Sequence, residues 1–329
     1  MGEDKLKKVI SKIKNNKKIY LTVLAAIMVI TGAVISIAIM NEPKTPMAGI
    51  GDIAKGNVSL GRVNILAAGR DRTSGLYDSL MLIGFDRDTQ KVCVLQIPRD
   101  TYAEYTDGSY KKINGAAASL GGMSELVAFL EETMAVNIDG YVSFDLEAVS
   151  EIVDAIDGVT VDVPRDMQYK DEEQGLNISL TRGTRHLNGK EAEMLIRYRS
   201  GYAKGDIERL DTQKIFLKAL IKKVKETSAL SLILDLLPTL DSFKTDIPLS
   251  QLTTVAYEAE KVADENISFE TAPGDSAVAK ISGAGYYVLC KKGVESVLKK
   301  YFGGEEFDPH GVFLNSNYAE FEEIYYRER

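Results

Sequence analysis

Residues 20–40 read YLTVLAAIMVITGAVISIAIM, 21 positions without a charge. As a helix this run rises about 31 Å, enough to cross the hydrocarbon core of a bilayer. A secretory signal has a shorter apolar centre and a small-residue cleavage site. Here NEPKTP follows, with no such site. The expectation is an uncleaved membrane anchor over 20–40, behind a basic cytoplasmic segment, 1–19. Residues 1–40 hold seven lysines against Glu3 and Asp4, a net charge of +5. Positive flanks stay in the cytoplasm, so residues 41–329 are expected on the outer side of the cell membrane. A domain placed there has no ATP supply, and its chemistry must use a substrate that arrives already activated.

The whole chain carries −8, so the part beyond residue 40 carries −13. That acidic body argues against a general nucleic-acid binder, which needs a basic footprint. With 45% hydrophobic and 27% charged residues the chain reads as globular. Of its two cysteines, Cys93 lies in an apolar run and reads as a small buried hydrophobe. Spacing alone leaves a Cys93–Cys290 disulfide open. The two histidines, His186 and His310, form no zinc-spaced cluster with cysteine.

Residues 41–60 hold prolines and glycines with little periodicity and read as a linker. A domain is expected over 61–303, followed by an acidic, aromatic tail, 304–329. Short apolar runs at VNILAAG, SLMLIGFD and KVCVLQIP predict strands, the last two joined by the polar turn DRDTQ as a hairpin. Helical periodicity appears over 124–134 and 145–156, with YVSF as a short strand between them. GVTVDVP alternates and reads as a strand, whereas 165–183 reads as polar and irregular. Asn188, with Glu191 three residues on, marks a helix start. Further helices are expected over 207–227, in ALSLILDLLPTL and over 291–301, and late strands at NISFET and GYYVLC. Strands mixed with helices predict an α/β fold, its sheet covered on both faces.

Four places put charge beside a strand end or on a helix face. In AAGRDRTSGLYDS, Asp71 and Asp78 flank a glycine-containing loop. They suit either a polar turn with an Asx cap or a shared hard cation such as Mg²⁺, which prefers oxygen ligands. Arg99 and Asp100 follow Ile97–Pro98 at once, either as a strand-end salt bridge or as a rigid donor fork for phosphate. Arg197 and Arg199 stand where a helix gives way to Ser200–Gly201. On an extended chain they point the same way, and a shared anion would explain two like charges together. Arg209 and Gln213, four apart, share one helix face, which is either solvated or part of the same site. Together the four suit a diphosphate.

Six stretches in order, NILAAGRDR…YDS, IPRDTY, KINGAAASLGG, DGYVSFDLEAVSEIVDAIDGVTVDVP, HLNGKEAEMLIRYR and DIERLDTQ, make the chain resemble the LytR–CpsA–Psr family of cell-wall glycopolymer ligases. The resemblance runs from about Val63 to Leu220. It implies a three-layer α/β/α sandwich with a central mixed sheet and a long apolar pocket for a polyprenyl chain, behind one N-terminal transmembrane helix. It implies an extracytoplasmic phosphotransferase. Such an enzyme moves a glycopolymer (teichoic acid, capsule or another wall polysaccharide) from an undecaprenyl-diphosphate carrier to peptidoglycan through a phosphodiester bond. Asp71 and Asp78 match the family's Mg²⁺ aspartates. Arg99 matches its diphosphate-contacting arginine, with Asp100 beside it. Arg197 and Arg199 match its arginine pair, and Arg209 and Gln213 its arginine and glutamine on the next helix. Arg99, Asp100, Arg197 and Arg199 are the expected catalytic set, with Asp100 the candidate proton acceptor. Arg99, Arg197, Arg199, Arg209 and Gln213 are expected on the diphosphate. The chain departs from the family at Leu76, where an arginine is usual, so one phosphate contact is either missing or supplied by Arg70 or Arg72. The rival readings are a polyprenyl-diphosphate hydrolase and a non-catalytic polyprenyl-phosphate binder that regulates wall assembly.

Overall fold

Alternation along the strands decides the architecture. In the computed structural model, strand β1 (Arg62–Arg70) sends Ile65 and Ala67 into one buried cluster and Leu66 and Ala68 into another. β2 (Tyr77–Asp86) splits Met81 and Ile83 from Leu80 and Leu82 in the same way, and β3 (Lys91–Ile97) splits Val92 and Val94 from Cys93, Leu95 and Ile97. Successive side chains of a strand point to opposite faces. A strand apolar on both faces must therefore be covered on both. The structure describes residues 61–304, apart from 73, 106–109, 146, 172–175, 201, 203–205, 228–241, 249–250, 252–253, 256–257, 260 and 280–282. The expected anchor over 20–40, the helix in ALSLILDLLPTL and the tail beyond Gly304 lie outside the described residues. Among the described residues, no single helix is long and apolar enough to cross a membrane.

β4 (Tyr102–Glu104) and β5 (Tyr110–Lys112) pair as a small ribbon after β3, and lead into helices α1 (Ala116–Leu120) and α2 (Met123–Met134). Strand β6 (Gly140–Asp145) and helix α3 (Glu147–Ala155) follow. Next come β7 (Val159–Val163), β8 (Met167–Asp171), β9 (Leu176–Leu180) and β10 (Gly183–Leu187), then helices α4 (Gly189–Arg197) and α5 (Asp206–Glu226). The chain continues through β11 (Phe243–Thr245), β12 (Ile267–Thr271), β13 (Gly274–Val278), β14 (Gly285–Leu289) and helix α6 (Lys291–Tyr301).

The central sheet has six strands in the order β11-β6-β1-β2-β3-β12. β1 is antiparallel to β2 and β2 to β3, whereas β6 is parallel to β1 and β12 to β3. The sheet is thus mixed. β1, β3, β6 and β12 end at one rim, the rim where β2 begins. α3, α4 and α5 cover one face through residues such as Ile152, Leu195 and Phe216. α1, α2 and α6 cover the other through Ala117, Leu130 and Leu298.

Most expected elements are present, including the hairpin at 86–91, where the Asp86 carboxylate accepts the amides of Asp88 and Thr89. Residues 165–183 correct the expectation of an irregular segment: they hold the β8–β9 hairpin and lead into β10, which pairs with β7. Among its described residues, Met167, Ile178 and Leu180 enter the core. Its outward positions, Gln168, Lys170, Asn177 and Ser179, are polar, so both strands alternate, but each is only five residues long and the pattern is short. The disulfide left open by spacing is absent, since Cys93 and Cys290 are free. Burial pushes the Cys93 thiol up to about 12.

Candidate functional site

The charged residues gather at the rim where β1, β3 and β6 end, the carboxyl edge at which open α/β sheets bind ligands. The register sets the first pair. Leu80 of β2 faces Ile97 of β3, so two positions further on the antiparallel ladder brings Asp78 opposite Arg99. Arg99 Nη1 donates to Asp78 Oδ1 at 2.9 Å. Pro98 ends the strand ladder there, because it has no amide hydrogen to donate.

α4 delivers the second arginine. Its start is the predicted capping box: the Asn188 side chain accepts the Glu191 amide, and the Glu191 carboxylate accepts the Asn188 amide. The helix stops at Arg197, and Tyr198 turns extended at φ −62° and ψ 131°. Arg199 Nη2 then reaches Asp78 Oδ2 at 2.6 Å. Arg197 does not share that anion. It pairs with Glu193 at 2.8 Å and faces Asp71 Oδ2 at 3.6 Å. The two guanidiniums thus come to one rim but face different aspartates.

Asp78 is only 7% exposed and Arg209 only 2%. Arg209, on α5, turns its guanidinium to the Asp78 carbonyl oxygen, 3.4 Å from Nη2. Burial alone would push the Asp78 carboxyl up. The positive charges of Arg99, Arg199 and Arg209 outweigh it and hold the carboxyl below its ordinary value. Arg199 is itself held below the ordinary arginine value, by burial first and then by Arg99. Three guanidiniums thus converge on one aspartate.

Asp71 closes the loop before β2. Its Oδ1 accepts the Ser74 amide, its carbonyl accepts the Gly75 amide and its own amide donates to the Leu76 carbonyl. Gly75 has φ +71°, a left-handed conformation that favours glycine. Asp71 is therefore both an Asx turn and a carboxylate facing Arg197. Asp100 faces Lys112, 2.9 Å away, and its carbonyl accepts the Tyr287 amide. Gln213 donates to the Ile196 carbonyl at 3.3 Å, bracing the end of α4 against α5.

Sequence reasoning missed Asp145. It is the register partner of Arg70 across the parallel β1–β6 pair. Arg70 holds its Oδ1 at 2.9 Å and Arg72 its Oδ2 at 2.8 Å. Nothing short of the strand order could have paired residues 75 positions apart. Arg70 and Arg72, the two candidates to replace the arginine absent at Leu76, thus meet at Asp145. Lys112 was also missed.

An open apolar pocket lies under this rim, between the sheet and helices α3, α4 and α5. Its wall is apolar, with Phe144, Val149, Ile152, Phe216 and Leu220, and its polar members are Ser79 and Gln213. Ser79 follows Asp78, Ile196 of the wall precedes Arg197, and Phe144 precedes Asp145. Neighbouring residues therefore build a cationic rim and an apolar pocket side by side.

Among the described residues, no three His, Cys, Asp or Glu side chains gather as a metal cage. The Asp71 and Asp78 oxygens still fit Mg²⁺. They are hard donors with lone pairs beyond those facing arginine, and Mg²⁺ commonly takes one or two carboxylates and completes its shell with water and phosphate.

The sequence pattern of the LytR_cpsA_psr family matches residues 39–302. The polyisoprenyl-teichoic acid–peptidoglycan teichoic acid transferase TagV of Bacillus subtilis is 37% identical over 163 residues, 48% of this chain and 41% of that protein. The match thus spans less than half of that relative's length. The transferase TagU of Bacillus cereus is 30% identical over 243 residues, 72% of this chain and 77% of that protein. The crystal structure of B. subtilis TagV superposes with a TM-score of 0.62 at 28% identity, covering 74% of this chain and 96% of that one. Motif order, sheet and similarity agree, and the chain belongs to the LytR–CpsA–Psr family.

Proposed function

We propose that the protein is an extracytoplasmic phosphotransferase. It moves a glycopolymer of the teichoic acid class from a polyprenyl-diphosphate carrier to peptidoglycan; the relatives TagV and TagU are named as transferases of teichoic acid from polyisoprenyl-teichoic acid to peptidoglycan. The observation that carries the reading is the junction of cationic rim and apolar pocket. A polyprenyl diphosphate is a long hydrocarbon ending in several negative charges, and the site is built in the same order.

Arg99, Arg199 and Arg209 hold the diphosphate, and Arg197 closes it from the Asp71 side. A hydroxyl of the peptidoglycan sugar attacks the phosphorus next to the glycan. A new P–O bond forms, the bond to the bridging oxygen breaks, and polyprenyl phosphate leaves. Asp100, oriented by Lys112, takes the hydroxyl proton. The arginines stabilise the charge that spreads over the transferring group. Asp71 and Asp78 would hold Mg²⁺, which supplies further neutralisation of the diphosphate charge. The diphosphate is itself the activated bond, so an enzyme on the outer face of the cell membrane needs no ATP. The uncharged run 20–40 serves as an anchor that keeps the domain beside the bilayer carrying the lipid substrate, with the N-terminus cytoplasmic.

The test uses the full-length chain in detergent with a polyprenyl-diphosphate glycan, Mg²⁺ and peptidoglycan oligomers, read by mass spectrometry. A conjugate carrying one phosphorus is expected, lost on chelation. Arg99→Ala should slow its formation by about 10²–10³. Free glycan phosphate without conjugate would instead mark a hydrolase, and tight lipid binding without turnover a regulator.

A further inference from the structure

Asn114 stands beside Asp100 and has no part in the transfer step described above. The chain leaves β5 at Lys112 and makes one turn of 3₁₀ helix, Ile113–Gly115, before α1. Three contacts fix that turn. The Ile113 side chain is buried in the packed face of the sheet. The Ile113 and Asn114 amides donate to the Thr101 and Arg99 carbonyl oxygens, at 2.8 and 3.2 Å. Gly115 lies against the loop that Asp71 closes, since a Cβ built on it would be 3.7 Å from Leu76. Lys112, just before the turn, holds Asp100 at 2.9 Å. The backbone of Asn114 is thus pinned next to Arg99 and Asp100.

Its side chain is not used in the same way. Asn114 is only 8% exposed, yet its side-chain amide makes no hydrogen bond among the described residues. A turn asparagine usually bonds nearby backbone, and a buried amide nearly always has a partner, because leaving one unpaired costs stability. A fold that tolerates this cost beside a reacting centre fits a group kept for substrate.

We propose that the Asn114 amide is a contact for the peptidoglycan acceptor and holds its sugar so that the attacking hydroxyl meets Asp100. The inference rests on the proposed function, in which Asp100 takes the proton of that hydroxyl, and adds to it a residue that positions the nucleophile. The chemistry favours the acceptor over the donor. The diphosphate is a concentrated negative charge, served by arginines. A neutral amide offers one acceptor and two donor hydrogens, which suits the hydroxyl and acetamido groups of a peptidoglycan sugar.

The experiment compares Asn114→Ala with wild type in the full-length chain by three measurements: the Kd for a polyprenyl-diphosphate glycan, steady-state transfer with peptidoglycan oligomers varied, and urea unfolding. The expected result is an acceptor KM raised about tenfold, the loss of one good hydrogen bond, with the donor Kd within twofold of wild type. The urea midpoint should be no lower than that of wild type, because truncation breaks no bond within the protein. Asn114→Ser, which keeps a hydrogen-bonding group, should recover part of the loss. A donor Kd that rises as much as the acceptor KM would place Asn114 on the diphosphate and overturn the proposal. A lowered midpoint with unchanged acceptor KM would make it a structural residue and also overturn it. If wild type forms no conjugate, the proposed function fails; if wild type and Asn114→Ala form it with the same acceptor KM, this inference alone fails.

Discussion

Asp78 is the residue on which the rim turns. Its carboxylate binds Arg99 through one oxygen and Arg199 through the other, and its carbonyl faces Arg209. Its folded pKa lies below the ordinary 3.8. The unfolded chain therefore takes up that proton first as pH falls. The stability that Asp78 contributes is complete above about 3.8 and is lost as pH drops through the folded value. Asp78→Asn should be less stable than wild type at pH 7, and the gap should begin to narrow as the pH falls below 3.8. Urea unfolding at pH 7, 5 and 3.5 would show this, and a gap that persists unchanged at pH 3.5 would contradict it. At this scale much of the site was legible. Asp71, Asp78, Arg99, Arg197 and Arg199 were marked by charge beside strand or helix ends and Arg209 by its place on a helix face, and all six lie at the rim. Asp100 and Gln213 lie nearby, but with partners that no spacing rule supplies: Lys112 comes from a separate ribbon and the Ile196 carbonyl from another helix. Asp145 was invisible because its meaning depends on the parallel pairing of β1 with β6.

Among elements, α4 matters most, since it carries Arg197 and presents Arg199. Its N-terminus is fixed by the capping box and by close approach to α3. A Cβ built at Gly189 would lie 2.1 Å from the Ser150 carbonyl oxygen and 2.7 Å from an Asp154 carboxylate oxygen. The Gly189 amide also donates to Asp154 at 2.7 Å. Gly189→Ala must push the two helices apart. Overpacking of this kind costs about 1–3 kcal/mol, and transfer activity should fall with it because both arginines move. Urea unfolding with wild-type midpoint and slope would show that the helices adjust freely. The capping box was readable from Asn188 and Glu191 because the signal is local. The close approach was not, because a glycine at the start of a helix looks the same whether or not another helix lies against it. The β8–β9 hairpin was hidden for a related reason. Its strands do alternate, but each spans only five residues within a charged, polar stretch, too short a run to stand out.

For the whole molecule, the six-stranded sheet divides labour between its faces. One face, under α1, α2 and α6, is packed core. The other, under α3, α4 and α5, opens into the pocket beside the rim. Sequence could not separate these two uses of apolar side chains, since Phe216 and Leu220 of the pocket and Leu126 and Leu130 of the packed face follow the same helical spacing. The pocket is where the central claim can be tested most directly. A polyprenyl diphosphate with a photoreactive group on its hydrocarbon tail, bound to the full-length chain and irradiated, reports its seat through mass spectrometric mapping. Attachment to α3 and α5, at residues such as Val149, Ile152, Phe216 and Leu220, and its loss in Arg99→Ala, is the expected result. Attachment to α2 or α6, or attachment unaffected by Arg99→Ala, would contradict the coupling of rim and pocket.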